Sequence, residues 1–477
     1  MINDLFHIIV SIFQATYEPL YIFTYAVAIF LLLTGIDDLF IDILYWIQHF
    51  FYPKNIHPYQ EYDPKQLEEA EEKLAAIYIP AWHEYDVIDK MLTRACNTLR
   101  YKNYDIFVGV YPNDPLTLEK VNQVSAKCPR VHAVVGSSPG PSTKADNLNE
   151  IHYGLLKYEN QTGKRYDIVV LHDAEDVIDP MSLKIINYFL PKYDMVQLPV
   201  LPLPSDFRKI VHWTYCDEFA ENHTKDLMVR QIFSGFIPSA GVGTGYNRWL
   251  IEFAGSSFAR KMFRNASLTE DYDLALRLAL AKSKLLYLYR PFKINASTRA
   301  FFPDSLRNAV RQKARWLIGI CLQSWKTYGW SGDFRFRLML YRDRKALLSN
   351  VLNGLAYIVL FYVFCYEMTR RMLPEYGTLL PLIAEGTMLW YIVLIDTIMM
   401  AWRFVHRFLT VSRVYGRLQG ILSILRFPVG NLINFLATIR GIMLFTVSLR
   451  NDTILAWDKT SHRFPNPDEV PREEFVQ

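Results

Sequence analysis

Long apolar segments lie towards both ends of the chain, and a region of mixed apolar and polar positions lies between them. Residues 19–36 carry no charged side chain and are long enough to cross a bilayer, which needs about 20 apolar residues. Residues 39–52 have the pattern of an amphipathic helix at a membrane surface. Apolar segments at 350–368 and 378–402 predict two further membrane spans.

The central region switches to short apolar runs that alternate with helical patterns. Strands are predicted at 74–80, 104–112, 130–136, 166–173, 193–200 and 285–292. Helices are predicted between them, among others at 84–100, 144–157 and 180–191. This alternation predicts an α/β fold with a largely parallel, doubly wound sheet. Such sheets bind ligands beyond the carboxyl ends of their strands, and several polar motifs of this chain directly follow a predicted strand.

Basic residues indicate which side of the membrane each part occupies. No Lys or Arg precedes Lys54, whereas a basic stretch at 306–345 comes just before the span predicted at 350–368. By the positive-inside rule, the N-terminus should lie outside and the α/β region in the cytosol. Arg370 and Arg371, in the predicted turn between the two later spans, depart from this rule.

Charged residues also affect what is predicted for two apolar segments, one near each end of the chain. Residues 419–449 contain Arg426 and Arg440, and a charge in mid-membrane costs about 2.5–3.5 kcal/mol on insertion scales. This segment is therefore predicted to form interfacial or channel-lining helices. Three aspartates just inside the first span are either a functional cluster or only the acidic end of an interfacial helix; they are Asp37, Asp38 and Asp42.

These boundaries divide the chain into five predicted parts. They are a transmembrane and interfacial part (1–54), a cytosolic α/β domain (55–305), an interfacial region (306–349), transmembrane and amphipathic helices (350–450) and a cytosolic tail (451–477). The composition agrees with a soluble domain flanked by membrane segments, because 51% of residues are hydrophobic while 21% are charged.

Charge and cysteine usage exclude several classes of protein. A formal charge of +4 is too small to suggest a nucleic-acid partner. The five cysteines are scattered without a C-x-x-C pair. This spacing argues against a disulfide scaffold or a zinc site and suits a reducing cytosol.

Two motifs carry candidate chemistry, Thr269-Glu270-Asp271 and Gln312-Lys313-Ala314-Arg315-Trp316. A carboxylate such as Asp271 can take a proton from an acceptor hydroxyl. Arg315 can hold a pyrophosphate through two hydrogen bonds, and Trp316 offers a flat face to a sugar ring. Each motif also has a plainer reading. The first resembles a capping box beginning at Ser267, and the second resembles a membrane-interface helix, where Trp and Arg are common.

In this order, before apolar segments, T-E-D and Q-x-x-R-W resemble the membrane-integrated processive glycosyltransferases of family 2. These enzymes build cellulose, hyaluronan and poly-N-acetylglucosamine. The resemblance implies a GT-A domain that uses a nucleotide-sugar donor and inverts the anomeric centre. It makes Asp271 the general base, with Glu270 beside it in the catalytic motif. It also places Arg315 on the donor diphosphate and Gln312 and Trp316 at the acceptor.

Two further motifs resemble the donor site of this family. Asp173-Ala174-Glu175 is similar to the metal-binding D-x-D motif, and extended geometry would put both carboxylates on one face. The resemblance implies Mg²⁺ or Mn²⁺ bound by Asp173 and Glu175, although an ordinary acidic loop is the alternative. Lys144 lies in a stretch similar to S-K-A-x-N-x-N, at a helix start that can approach phosphate. A plain helix cap is compatible with the same residues.

The nucleotide base is assigned to residues that follow the first two strands. Pro80-Ala81-Trp82-His83-Glu84 resembles the family's P-x-Y/W-N-E motif, which implies that Trp82 and Glu84 line the nucleotide pocket. His83 replaces the usual Asn and receives no role. Asp114 stands where the family contacts uridine, but Asn113-Asp114-Pro115 is equally typical of a plain turn.

Several further stretches resemble the NfrB type of this family, an inner-membrane glycosyltransferase involved in phage adsorption. They include GIDDLFIDILYW (35–46), PSAGVGTG (238–245) and AWDKTSHRFP (456–465). The resemblance implies a UDP-sugar donor, a glycan acceptor, an exported surface polysaccharide and a multi-pass protein of the bacterial inner membrane. It also implies an outer-membrane partner of the NfrA type and activation by cyclic di-GMP. Longer members carry a C-terminal domain for that nucleotide, so its control of this chain stays open.

Two alternatives to a processive polymerase remain at this point. One is a non-processive transferase that moves a single sugar to a lipid carrier. The other is a non-catalytic membrane scaffold or phage-receptor component, suggested by the departures from family motifs at His83, Asn113, Asp146 and Glu175.

Overall fold

The computed structural model describes residues 2–257, 261–451 and 463–470. Seven strands form one sheet: β1 (Ala75–Pro80), β2 (Tyr104–Val110), β3 (Val131–Val135), β4 (Ile168–Leu171), β5 (Met195–Gln197), β6 (Thr244–Asn247) and β7 (Leu285–Tyr287). The helices are α1 (Ile2–Ala15), α2 (Tyr17–Phe51), α3 (Pro53–Ile56), α4 (Lys65–Glu69), α5 (Ile88–Thr98), α6 (Pro115–Ser125), α7 (Lys144–Thr162), α8 (Ser182–Phe189), α9 (Ile210–Glu221), α10 (Leu227–Ser234), α11 (Arg248–Ser257), α12 (Glu270–Leu280), α13 (Leu306–Leu317), α14 (Ser324–Tyr328), α15 (Phe334–Met372), α16 (Met388–Tyr415) and α17 (Arg417–Asn451).

The strand order is β3-β2-β1-β4-β6-β5-β7, with β6 antiparallel to both of its neighbours. The other pairs are parallel, which confirms the predicted α/β class and the largely parallel, doubly wound sheet. β6 is absent from the predicted strands because its sequence, Thr-Gly-Tyr-Asn, is short and polar. Its Gly245 allows α8 to pack closely, since a Cβ there would lie 2.3 Å from Ile186 Cγ2.

Alternate strand residues bury their side chains on opposite faces of the sheet. Tyr78 of β1 and Phe107 of β2 face α7, whereas Ile77 and Ile106 face the layer formed by α5, α6 and α8. This follows from the two-residue period of a strand. Because β2 and β4 both run parallel to β1, the carboxyl ends of these three strands meet at one edge of the sheet.

Among the described residues, three helices are long and apolar enough to cross a membrane: α15, α16 and α17. The span predicted at 19–36 lies in α2 and is not one of these three. The span predicted at 350–368 is part of α15, which already begins at Phe334. The span predicted at 378–402 is shifted, because residues 377–387 are irregular and α16 begins at Met388. The segments predicted as 19–36 and 39–52 form a single continuous helix, α2, and not two elements.

The three N-terminal aspartates join helices through buried and partly buried ion pairs. Asp37 lies 2.7 Å from Arg342 of α15, and Asp38 lies 2.8 Å from Arg403 of α16. Asp42 lies 2.5 Å from Lys225, which follows α9 in a single π-helical turn (Asn222–Asp226). Of the two readings left open by the sequence, the geometry favours a structural cluster that joins α2 to α15, to α16 and to the α/β domain.

α17 packs along the α/β domain through paired polar residues. Arg426 forms two hydrogen bonds to the buried Asp217 of α9, at 2.9 and 2.7 Å. Lys313 of α13 bridges Glu218 and Asn434, at 2.6 and 2.9 Å. These contacts explain how an arginine is accommodated in an apolar helix. Interfacial or channel-lining helices were predicted at 419–449, whereas this segment is part of one continuous helix, α17, that is long enough to cross a membrane.

Two of the scattered cysteines form a disulfide. The scattered cysteines argued against disulfides, yet Cys96 near the end of α5 and Cys128 after α6 form one. The sequence spacing could not show this pairing, because it depends on the side-by-side packing of the two helices.

The stretch 456–465 and the tail 451–477 lie largely outside the described residues. Within the described part, Phe464 packs against the core of the α/β domain.

Candidate active site

The T-E-D motif lies at the N-terminus of α12. The predicted capping box is wrong, because the N-cap is Thr269, whose side chain makes no capping hydrogen bond. The preceding loop is held instead by Gln323, whose Oε1 accepts from the Leu268 amide at 2.8 Å and whose amide donates to the Ala266 carbonyl at 2.9 Å. Gln323 ends the π-helical turn that continues α13 (Ile318–Gln323), so the Q-x-x-R-W helix positions the T-E-D loop.

Gly241, which follows α10, allows the Asp271 carboxylate its position. A Cβ at residue 241 would lie 2.5 Å from Asp271 Oδ2, and the backbone there has a φ of 74°. Both observations require glycine. Asp271 Oδ1 accepts a hydrogen bond from the Tyr272 amide at 2.8 Å. The stretch PSAGVGTG was noticed in the sequence, but nothing there linked its glycine to Asp271.

Lys144 connects the predicted donor and catalytic residues. Its Nζ lies 2.6 Å from Asp173 Oδ1 and 3.7 Å from Glu270 Oε1. Burial raises the pKa of Glu270 to about 7, with Lys144 opposing and Asp271 adding to the rise. Burial also raises the pKa of Asp271, and Lys144 is again the main opposing group. Both carboxyl groups therefore hold their protons more strongly than exposed ones would.

The turn after β4 presents Asp173 and Glu175 to the same space. Asp176 stabilises the turn, because it accepts from the Asp173 amide at 2.9 Å and pairs with His172 at 2.9 Å. Among the described residues, no three His, Cys, Asp or Glu side chains form a ready metal site. Mg²⁺ is commonly held by one or two carboxylates together with substrate phosphates, so Asp173 and Glu175 fit such an ion.

The Q-x-x-R-W residues face the same space from the opposite wall. Gln312 Oε1 and Arg315 Nε are buried and have no hydrogen-bond partner among the described residues. Buried polar atoms of this kind are rare unless a ligand satisfies them. Trp316 packs among Tyr215, Phe219 and Phe302, with ring centroids 6.0–6.5 Å away.

A cavity of about 510 Å³ connects these groups. Most of the predicted site residues line it: Glu84, Lys144, Asp173, Glu175, Glu270, Asp271, Gln312, Arg315 and Trp316. The cavity continues past the T-E-D motif into an aromatic and polar end that includes His212, Phe301 and Asn308.

Two predicted nucleotide residues lie outside this lining. Asp114 is buried at the N-terminus of α6, where it accepts from the Thr117 amide at 3.3 Å and the His83 amide at 2.6 Å. Trp82 packs edge-on to Tyr111 and close to Gly140, where a Cβ would lie 2.7 Å from the indole ring. Both residues shape the loops beside the cavity, and their contact with a nucleotide stays a prediction.

Further residues of the Lys144 motif hold the segment that leads to T-E-D. Asp146 accepts from the Asn265 side chain at 2.7 Å. Asn149 donates to the Phe263 carbonyl at 2.9 Å and accepts from its amide at 3.0 Å. The sequence indicated a phosphate-binding helix start, but this supporting role is visible only in the folded chain.

Comparison with known proteins agrees with this geometry. Residues 73–319 match the model of the glycosyltransferase like family 2. The chain is 36% identical over 479 aligned residues to bacteriophage adsorption protein B of Escherichia coli K12, and equally to bacteriophage N4 adsorption protein B of Escherichia coli O157:H7. These alignments cover 96% of this chain but 64% of each relative, so the chain spans somewhat less than two thirds of their length.

One solved structure is similar to this chain at low identity. The mannosyltransferase PcManGT from Pyrobaculum calidifontis, in complex with GDP-Man and Mn²⁺, is 13% identical, with a TM-score of 0.49 over 88% of this chain and 99% of that one. The family match confirms the resemblance read from T-E-D and Q-x-x-R-W. With its GT-A sheet and this cavity, the chain belongs to glycosyltransferase family 2.

Proposed function

We propose that this chain is an inverting, processive glycosyltransferase that polymerises sugar from a UDP-sugar into an exported surface polysaccharide. The observation that carries the proposal is the shared cavity. It brings together the Asp271 carboxylate, the Lys144–Asp173 pair and the buried polar atoms of Gln312 and Arg315 that have no hydrogen-bond partner in the described part of the chain.

Each wall of the cavity has a role in the proposed reaction. Asp271 takes the proton from the acceptor hydroxyl as that oxygen attacks the anomeric carbon. Glu270 pairs with Lys144 and thereby influences the electrostatic environment of the Asp271 carboxylate. Lys144 and Arg315 hold the diphosphate as it leaves, and Arg can do so through paired hydrogen bonds. One attack from the face opposite the leaving group inverts the anomeric centre.

A divalent cation fits the donor end of this cavity. Asp173 and Glu175 would hold Mg²⁺ or Mn²⁺, and the ion would neutralise charge on the departing diphosphate. Glu84 lines the donor end, with Trp82 and Asp114 supporting the neighbouring loops. Gln312 and Trp316 face the acceptor end, where an aromatic ring can stack on a sugar.

The membrane helices give the proposed reaction its direction. We place the α/β domain in the cytosol of a bacterial inner membrane and the polymer on a path outward through a multi-pass arrangement. The five predicted parts of the chain are kept in this proposal. We also propose an outer-membrane partner of the NfrA type and regulation by cyclic di-GMP, which the motif resemblance implies.

The decisive experiment measures UDP release by membrane vesicles with a panel of UDP-sugars, Mg²⁺ or Mn²⁺, and cyclic di-GMP present or absent. Wild-type release that falls by about 10²–10⁴-fold in Asp271→Asn supports the general base. Asp89→Asn is the matched control, because Asp89 also lies in the first turn of a helix, α5, but outside the cavity.

Product analysis separates the remaining alternatives. Long products support processivity, whereas transfer of a single sugar identifies a lipid-carrier transferase. No release with any donor, together with an intact phage phenotype in Asp271→Asn, would contradict the enzymatic proposal and favour a scaffold.

A further inference from the structure

Four nitrogen-bearing side chains come together away from the catalytic cavity, where the end of α2 meets α16 and the end of β7. The cluster consists of the imidazole rings of His49 and His57 and the guanidinium groups of Arg290 and Arg413, and the two guanidinium groups carry its positive charge. The rings of His49 and His57 lie 5.9 Å apart, and His57 lies 6.4 Å from the ring of Tyr289, the residue before Arg290. None of these residues lines the catalytic cavity.

The cluster is joined by a tyrosine of α2. Tyr45 stacks on His49 with ring centroids 5.7 Å apart. The hydroxyl of Tyr45 accepts a hydrogen bond from Arg413 at 2.9 Å. Arg413 lies near the end of α16 and is exposed, so the cluster can be reached from solvent or from a lipid headgroup.

The positive charge of the cluster is not neutralised within the described part of the chain. Neither Arg290 nor Arg413 forms an ion pair with a carboxylate there. Burial lowers the pKa of His57 to about 4, and His49, Arg413 and Arg290 add to the effect. Three guanidinium groups, those of Arg413, Arg290 and Arg299, oppose the rise that burial causes in the pKa of Tyr289.

Three buried nitrogen atoms in the cluster also lack hydrogen-bond partners. They are His49 Nδ1, His57 Nδ1 and Arg290 Nε, none of which contacts an acceptor among the described residues. Arg290 adopts a left-handed backbone with a φ of 51°, a conformation that is uncommon for residues other than glycine. An anion with several oxygens would neutralise this positive charge and accept hydrogen bonds from the unsatisfied nitrogens.

The surface beside the cluster indicates where that anion resides. Phe50, Phe51 and Tyr52 follow His49 directly and are 67%, 74% and 55% exposed. Exposed aromatic side chains are typical of the headgroup level of a bilayer, and α2 packs against the membrane-length helices α15 and α16. A soluble ligand would leave these rings in water, whereas a phospholipid would cover them with its glycerol and acyl groups.

We infer that this cluster is a binding site for the phosphate of an anionic phospholipid headgroup, at the junction of α2, α16 and the catalytic domain. Arg290 and Arg413 donate to the phosphate oxygens, and the exposed aromatic residues lie against the lipid. The site is independent of the proposed sugar transfer. It fixes the catalytic domain against the bilayer at a point where β7, α2 and α16 meet.

The test titrates phosphatidylglycerol or phosphatidylcholine into the detergent-solubilised full chain and counts bound lipid by native mass spectrometry. Wild type should bind phosphatidylglycerol more tightly than phosphatidylcholine. Arg290→Gln with Arg413→Gln should weaken phosphatidylglycerol binding by about fivefold for each arginine removed. The matched control is Arg337→Gln with Arg417→Gln, which removes two exposed arginines at the starts of α15 and α17 and should leave binding unchanged.

Three outcomes would overturn the inference. The first is equal binding of the two lipids by wild type, and the second is unchanged phosphatidylglycerol binding in the cluster variant. The third is that inorganic phosphate raises the melting temperature of wild type but not of the cluster variant, while the variant still binds lipid. That result would assign the site to a soluble phosphate. UDP release and the melting temperature report whether the variant is folded. If it is not folded, the single variant Arg413→Gln, at an exposed position, provides the same test. It should weaken phosphatidylglycerol binding by about fivefold.

Discussion

The Asp271 carboxylate occupies the space that a side chain at residue 241 would need, with 2.5 Å between Asp271 Oδ2 and the position of a Cβ. The proposed base is therefore placed by a glycine in a loop distant in sequence. This relationship can be tested without altering either member of the T-E-D motif's acidic pair.

Gly241→Ala should lower kcat by about 10²-fold, because a displacement of the base by about 1 Å is enough for such a loss. Gly235→Ala is the matched control. Residue 235 has a similar φ of 67°, but no atom lies within 4 Å of its Cβ position. Both variants carry the same backbone strain, so only the first should lose activity in a UDP-release assay. Equal losses would assign the effect to strain.

Arg315→Lys should weaken donor binding by about 10–100-fold, since hydrogen bonds to charged groups contribute about 1.5–3 kcal/mol. Lysine keeps the charge but cannot form the paired contacts of a guanidinium. UDP affinity measured by calorimetry is the readout. Arg307→Lys, at an exposed position in the first turn of α13, should bind UDP normally. Unchanged affinity in Arg315→Lys would remove the diphosphate role.

The pH dependence of activity should report the raised pKa of Asp271. The base acts only when deprotonated, so kcat/KM falls as pH drops through its pKa, which burial places above the ordinary value of about 4. Lys144 opposes that rise, and Lys144→Met should therefore move the acid limb to higher pH. Lys120→Met, whose lysine pairs with Asp89 outside the cavity, should leave the limb in place. A limb that moves to lower pH in Lys144→Met would contradict the electrostatic picture.

The same site makes stability depend on pH. The pKa of Glu270 is raised to about 7 in the folded state, whereas an exposed Glu titrates near about 4.3. The contribution of this group to the free energy of unfolding is full below the lower value and is lost as pH rises through the higher one. Glu270→Gln should flatten this part of a melting-temperature profile, and an unchanged slope would exclude Glu270 as its source.

Arg426→Met should destabilise the chain by about 3–5 kcal/mol, because it leaves the buried Asp217 without its cation. Adding Asp217→Leu should recover most of the loss, since the unpaired charge is then gone. Thermal unfolding in detergent measures both variants. Failure of the double variant to recover would mean that the pair stabilises the contact between α17 and α9 by more than mutual neutralisation.

Local patterns were sufficient for the features that depend on neighbours in sequence. Continuous apolar runs, such as Ala75–Pro80, predicted the parallel strands, because each strand buries both faces. The order of T-E-D and Q-x-x-R-W predicted the family, and most motif residues meet in one cavity. Acidic and polar motifs were predicted to follow strands, and those after β1, β2 and β4 lie at the carboxyl edge of the sheet.

Only tertiary structure decided the features that join distant segments. The antiparallel β6, the position of Asp271 against Gly241, the capping role of Asp114 and the Cys96–Cys128 disulfide all depend on which elements pack side by side. The sequence by itself determined which residues are chemically competent and which segments are apolar. The fold decided which of them meet, because close packing and buried ion pairs such as Asp42–Lys225 select one arrangement from many that the local pattern allows.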